Sequence, residues 1–317
     1  MRLDGFSYVQ PKTSAEACEA LAAHGPEVKV LAGGTDLLIR MKHGVTIPKV
    51  LVSLRQAEGL TRIRAVGDSL GIGASVTLTD VRRSDAVRVS YPLLAEAALA
   101  VGAAQLQNMG TLGGNLCLEP RCWYFQQTPS WREARAPCFK NGGGLCYMAK
   151  GAKRCYALYC GDTAPALLAL GASVRLVRKG GERLIPLEEF FVDDGQKHTV
   201  LQQGELVTEV VLPAPTQGQK GTYLKYRKRG AVDFPVVGVA AVVRNGEARV
   251  AITGAGSAPF LVAGPSRCST SDDVERIAKV AWRQARPASR MEVSPSYRKL
   301  LVRILTKDAL EEITRQA

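Results

Sequence analysis

Residues 110–122 read GTLGGNLCLEPRC, and a phrase of the same kind, LAGGTDLL, stands at residues 31–38. In the earlier phrase Gly33 and Gly34 fall between an apolar run and a helix-like segment. Glycine lets a backbone come close to a ligand, and a helix start offers unpaired N–H groups to an anion. In the later phrase Thr111, Gly113, Gly114 and Asn115 repeat the arrangement. One Gly-Gly step is most often only a turn. Two, each followed by a polar side chain, point to a single ligand with two phosphates or a long polar chain. Neither loop fits GxGxxG or a P-loop, which disfavours the common nucleotide folds.

Working outward, the first loop sits inside a compact βαβ-like unit. SAEACEALAAHG (Ser14 to Gly25) reads as a helix capped by its serine, VKVLAGG as a strand entering a turn, TDLLIRMKHG as a helix with Thr35 at or near its cap, and KVLVSL as a second strand. The next segment, TRIRAVGDSLGIGASVTLTDV, predicts a hairpin turning at Gly67-Asp68 and then a capped helix. LLAEAALAVGAAQLQ (Leu93 to Gln107) is helical by propensity. PALLALGASVRLVRKGGERLIPLEEFF predicts a helix and then strands around Gly180-Gly181, and ELVTEVVLPAP a strand closed by a Pro-rich joint. Beyond it, GTYLKYRKRG and PVVGVAAVVRNGEARVAITGAG alternate like strands, with a type I′ turn at Asn245-Gly246. Two amphipathic helices follow. The last begins at Ser294-Pro295, with Tyr297, Leu300, Leu301, Ile304, Leu305 and Ile313 in one stripe. The expected organisation is α+β: residues 1–55, residues 56–215 and a third unit, residues 216–317.

Of the 317 residues 46% are hydrophobic and 22% charged, which fits a soluble globular chain. No run is long and apolar enough for a membrane span, and the start MRLDGFSYVQP lacks a signal core, so a cytoplasmic location is expected. Eight cysteines are then better read as thiols or metal ligands than as disulfides. A net charge of +13 invites nucleic acid, but the basic residues are scattered and no nucleic-acid-binding motif is present. A basic face for an acidic protein fits as well. His24, His43 and His198 read as solvated or capping groups, and KYRKR as a strand among solvated charges.

The order AGGTDL, GASVTLTDV, NMGTLGGNL, GDTAPALLALGA resembles the FAD-binding subunits of the molybdenum hydroxylases, the xanthine dehydrogenase and carbon monoxide dehydrogenase family, over essentially the whole chain. KYRKRGAVDFPVVGVAAVV (Lys225 to Val243) resembles the start of that family's C-terminal flavoprotein domain. The resemblance implies a PCMH-type FAD-binding fold of two α/β subdomains plus a C-terminal α+β domain. It implies that Ala32, Gly33, Gly34, Thr35 and Asp36 hold the FAD pyrophosphate from one side. Thr111, Gly113, Gly114 and Asn115 would hold it from the other, Asp162 would reach the flavin's ribityl or ring region, and Gly73, Ala74 and Thr77 would line the cleft. One departure is Gln107, where the family often has Arg.

Between the second loop and GDTAPALLALGA most of the family has about a dozen residues. Here residues 118–159 intervene, with Cys122, Cys138, Cys146 and Cys155 spaced C-x15-C-x7-C-x8-C and eight of the chain's nineteen aromatics. Buried structural thiols, a zinc site and an iron–sulfur cluster all remain open on residue types alone. Zinc usually shows close C-x2–4-C pairs, and a cluster tolerates irregular spacing and favours an apolar shell. The insertion, above all its entry GGNLCLEPRCWYFQQ, resembles that of the 4-hydroxybenzoyl-CoA reductase branch. This implies a [4Fe-4S] cluster on Cys122, Cys138, Cys146 and Cys155, leaving Cys18, Cys117, Cys160 and Cys268 as ordinary thiols. It further implies an oxidoreductase subunit for electron transfer, with no catalytic residue of its own. The partners would be a molybdenum-cofactor large subunit, a small [2Fe-2S] subunit and ferredoxin as donor, in a dimer of heterotrimers. An N-heterocycle or purine hydroxylase is the alternative enzyme, and a non-catalytic scaffold the alternative class. Seven Lys/Arg against two Glu in the insertion suggest a docking face for an acidic donor.

Overall fold

A computed structural model describes residues 3–264, 266–288 and 293–315, so the outermost residues of the expected first and third units lie outside it. A first group contains β1 (Ser7–Val9), α1 (Ser14–His24), β2 (Val28–Leu31), α2 (Leu37–Lys42) and β3 (Val50–Ser53). Its sheet has the order β1-β3-β2, all parallel, as the βαβ pattern requires. The α1 cap is Thr13, whose hydroxyl accepts from the Glu16 amide, rather than the expected Ser14.

A second group follows with β4 (Ile63–Val66), β5 (Ser69–Gly73), α3 (Leu78–Arg83), α4 (Asp85–Ser90), α5 (Pro92–Leu99), α6 (Ala104–Met109), α7 (Leu112–Leu116), α8 (Pro129–Glu133), α9 (Thr163–Ala169), β6 (Ser173–Arg178), β7 (Gly181–Pro186) and β8 (Leu206–Leu212). The sheet runs β4-β5-β8-β6-β7, antiparallel throughout. The single helix expected over Leu93 to Gln107 is two, because Gly102 takes a left-handed φ of 50° between them. Gln107 is buried there, and its side-chain amide donates to the Leu99 and Val101 carbonyls at 2.8 and 2.9 Å. It closes the end of α5, a structural task that needs no charge.

The third group has β9 (Lys220–Tyr226), β10 (Val237–Arg244), β11 (Glu247–Thr253), β12 (Phe260–Leu261), α10 (Ser271–Gln284) and α11 (Pro295–Arg315). Asn245 and Gly246 both have positive φ, 51° and 74°, as the I′ turn between β10 and β11 demands. One face of this sheet packs against α10 and α11, burying Val239, Ile252, Ile277 and Leu310. The other face joins the core of the second group through Tyr223, Ala240, Val242 and Ala251. The expected stripe on α11 is divided: Leu301 and Ile313 are buried, whereas Tyr297, Leu300 and Ile304 stay exposed. Helix α9, buried along its whole length, packs on β10, β11 and β12 within the core that the second and third groups share.

Candidate cofactor site

The two glycine loops lie directly against one another. A Cβ on Gly33 would stand 1.8 Å from the Met109 carbonyl oxygen, so only glycine fits. Gly113 is equally confined by Ala74, whose Cβ would be 2.7 Å away, and Gly73 by the Leu60 carbonyl at 2.2 Å. These three glycines therefore permit backbone to pack on backbone, rather than serving only to admit a ligand. Gly114 differs, since a Cβ there would meet only the Thr111 hydroxyl at 2.9 Å and Ala32 at 4.0 Å.

Their amides are used differently. In the second loop, Leu112 N–H donates to Val76, Gly113 to Ala74, Gly114 to the Thr111 hydroxyl and Asn115 to the Thr111 carbonyl. In the first loop, the amides of residues 32–37 make no hydrogen bond among the described residues, and pairing resumes at Leu38, which donates to Gly34. Six half-buried residues in a row at a helix start thus keep N–H donors of the kind that can serve an anion.

Several expected ligand side chains already have partners within the chain. Thr111 caps α7 and Thr77 caps α3, the latter also donating to Asp80 Oδ2 at 2.6 Å. The Asn115 side-chain oxygen accepts from the Thr163 amide and hydroxyl at 3.1 and 2.7 Å, fixing the start of α9. Asp36 pairs with Arg121 of the insertion and lies 3.9 Å from Arg40, so its carboxylate is neutralised beside these donors instead of grasping phosphate. Asp162, expected to reach the flavin, is buried against Lys225 Nζ at 2.9 Å and the Tyr223 hydroxyl at 2.8 Å. Burial pushes its carboxyl up to about 6, although Lys225 and Tyr223 pull the other way. Lys225, read in the sequence as solvated, is thus a buried tie from β9 to the start of α9; it also donates to the Ala100 carbonyl at 2.8 Å.

An antiparallel bridge between Arg121 and Leu158 closes the neck of the insertion. Beyond it Cys122, Cys138, Cys146 and Cys155 line one pocket, with Tyr124, Phe125, Phe139, Lys140 and Tyr147 around them. Tyr124 and Tyr147 of this lining stack on each other, and Trp123 and Trp131 join them edge-on or tilted, at centroid distances of 5.2–6.3 Å. Among the described residues no three His, Cys, Asp or Glu side chains form a group arranged to hold a metal ion. Burial pushes the Cys122 thiol up, and that of Cys155 to about 11, so ligation would displace protons. Cys117, outside the pocket, is driven to about 12 by burial alone.

Sequence reasoning missed the ions that join the two regions. Glu119 receives Arg40 of α2 at 2.6 Å, Lys29 of β2 at 3.5 Å and Lys140 at 3.7 Å. Burial raises its carboxyl, but the Arg40 hydrogen bond and the three cations outweigh this and hold it well below the usual range. An acidic residue directly before Pro120 and Arg121 was the available signal. His198 is not the solvated group expected: burial lowers it to about 4, and its Nε2 has no partner among the described residues. The insertion's basic residues are also largely spent internally. Arg121 binds Asp36, Lys140 binds Glu119, Arg154 binds Asp193 at 2.5 Å, and Arg132 donates to the carbonyls of Phe125, Gln127 and Gly44. Arg135, Lys150 and Lys153 remain exposed.

Residues 4–215 match the family described as the FAD binding domain in molybdopterin dehydrogenase. The chain is 35% identical to the aldehyde oxidoreductase FAD-binding subunit PaoB of Escherichia coli, over 82% of this chain and 84% of that one. It is 29% identical to the carbon monoxide dehydrogenase medium chain of Hydrogenophaga pseudoflava, over 96% of each. The solved structure of carbon monoxide dehydrogenase from the same organism superimposes over 100% of both chains with a TM-score of 0.82 at 25% identity. No helix among the described residues is long and apolar enough to cross a membrane. With open amide donors at its first loop and a family match spanning two of its three sheets, the chain belongs to the FAD-binding subunits of the molybdenum hydroxylase family.

Proposed function

We propose that this chain is the FAD- and [4Fe-4S]-carrying electron-transfer subunit of a molybdenum-containing 4-hydroxybenzoyl-CoA reductase. When bound, FAD exchanges one or two electrons and a cluster one at a time. The observation that carries the reading is the convergence of Cys122, Cys138, Cys146 and Cys155 on one aromatic-walled pocket, tied by Glu119 and Arg121 to the first glycine loop. The four cysteines would hold the cluster. The amides of Ala32, Gly33, Gly34, Thr35 and Asp36 would hold the FAD pyrophosphate, with Gly114 and the free side of Asn115 facing it. Thr111, Gly113, Gly73, Ala74 and Thr77 would act by bracing that cradle, and Asp162 by locking α9 to the third sheet.

The reacting centre would lie on a molybdenum-cofactor large subunit, beside a small [2Fe-2S] subunit, in a dimer of heterotrimers. Ferredoxin would be the donor, seated on the insertion, with the complex in the cytoplasm. The reaction would remove the phenolic hydroxyl of 4-hydroxybenzoyl-CoA to give benzoyl-CoA. A second reading, a dehydrogenase of N-heterocycles, purines or aldehydes, is favoured by relatives named for caffeine and aldehyde oxidation. The test is to purify the assembled complex and analyse it. Expected are one FAD, iron beyond that of the small subunit, and loss of that extra iron in Cys146→Ser with FAD retained. Turnover of 4-hydroxybenzoyl-CoA with reduced ferredoxin supports the first substrate reading. Oxidation of purines or aldehydes with NAD or a dye, and none of the thioester, supports the second.

A further inference from the structure

Lys140 is among the most enclosed cations of the described residues, with a side chain 6% exposed. The residue lines the cysteine pocket, and its ammonium donates to the Pro120 carbonyl at 3.1 Å, lies 5.4 Å from the Phe125 ring centre and faces Glu119 at 3.7 Å. Glu119 is shared with Arg40 and Lys29, so three cations converge on one carboxylate and the neighbourhood is positive. We propose that Lys140 is a positioning residue that sets the reduction potential of the centre held by Cys122, Cys138, Cys146 and Cys155, and that Glu119 moderates it. This rests on the cluster reading of that pocket.

The physics is one-signed. Four thiolates give the centre a negative charge, and reduction by a one-electron donor adds one more, with no bond made or broken. A fixed cation in a water-poor pocket stabilises the more negative state and raises the potential. Glu119 acts in the opposite sense. Its removal leaves Arg40, Lys29 and Lys140 uncompensated beside the pocket.

The experiment is an EPR-monitored redox titration of the assembled complex, after iron analysis. Lys140→Met should lower the reduced-to-oxidised ratio at a given potential at least tenfold, which is 59 mV for one electron. Lys140→Arg should stay within about threefold of wild type, and Glu119→Gln should shift the midpoint upward. A Lys140→Met midpoint equal to wild type, or Lys140→Met and Glu119→Gln moving in the same direction, overturns the proposal. If Lys140→Met cannot hold iron, the sign of the Glu119→Gln shift decides it. Wild-type complex without the extra iron overturns the cluster reading itself, and this inference with it.

Discussion

Residues 31–37 and 110–115 share a Gly-Gly step, a threonine and a helix start, yet they spend their amides in opposite ways. The second loop gives four consecutive N–H groups to its own chain, to Val76, Ala74 and Thr111. The first leaves six unbonded among the described residues. The second loop is braced by its own chain, the first leaves its donors open, and they touch where Gly33 meets Met109. A Gly-Gly pair therefore does not by itself mark a ligand. What separates the cases is where the neighbouring donors go.

The largest expected effect tests that contact. Gly33→Ala places a methyl 1.8 Å from the Met109 carbonyl, and backbone on both sides leaves little room to relax. A loss of about 3 kcal/mol or more is expected in chemical denaturation, with poor recovery of the complex. Gly114→Val should separate stability from binding. Its Cβ meets only a movable hydroxyl, so stability should fall by about 1 kcal/mol, roughly the value of the Thr111 cap. FAD retention after gel filtration should fall much further. Should the two variants lose stability alike, the division into a braced loop and an open one is wrong.

Two ion-paired carboxylates, Asp162 buried and Glu119 half-buried, sharpen the comparison through pH. Asp162, at the start of α9, is raised from 3.8 to about 6, chiefly by burial. A folded-state value above the unfolded one means that its contribution to stability is full below about pH 4 and is lost as pH rises through 6. The stability difference between wild type and Asp162→Asn should therefore shrink from pH 4 to 6.5, by on the order of 2–3 kcal/mol. Glu119, beside the first loop, is shifted down, so its contribution is present above the usual carboxylate range and lost as pH falls. For Glu119→Gln the difference should widen as pH rises. Denaturant unfolding at several pH values reads both, and slopes of the same sign would discard the electrostatic contrast between the two sites.

Much of this architecture was readable from short-range rules. The Asn245-Gly246 turn, the Gly67-Asp68 hairpin and the parallel βαβ start each depend on neighbours within a few residues, where a turn residue or a period carries the signal. Single-helix reading failed at Gly102 because propensity summed over Leu93 to Gln107 hides one left-handed residue. The cysteine pocket was legible as a concentration of thiols and aromatics. Partner choice was not. Asp162 with Lys225 and Arg40 with Glu119 pair across 63 and 79 positions, and nothing local distinguishes a buried lysine in KYRKR from a solvated one. The same blindness inflated the basic character of the insertion.

That inflation sets the smallest effect expected. Seven Lys and Arg against two Glu suggested a strongly positive docking face, but Arg121, Arg132, Lys140 and Arg154 are engaged within the chain. Arg135, which donates to the Trp131 carbonyl at 2.9 Å and lies 3.6 Å from that ring's centre, stays exposed with Lys150 and Lys153, and these three are the cations that a donor docked here would meet. Charges on an interface rim act mainly on encounter rate and on its salt dependence. Lys150→Glu with Lys153→Glu should then lower the rate of reduction by ferredoxin at low salt by roughly three- to tenfold. The difference should fade by about 0.5 M salt, where the screening length is only a few ångströms. Arg154 is left untouched because reversing it would break its pair with Asp193 and confuse folding with docking. Stopped-flow reduction across a salt series is the measurement. An unchanged low-salt rate would place the donor elsewhere on the complex, while leaving the cysteine pocket and the amide cradle as they stand.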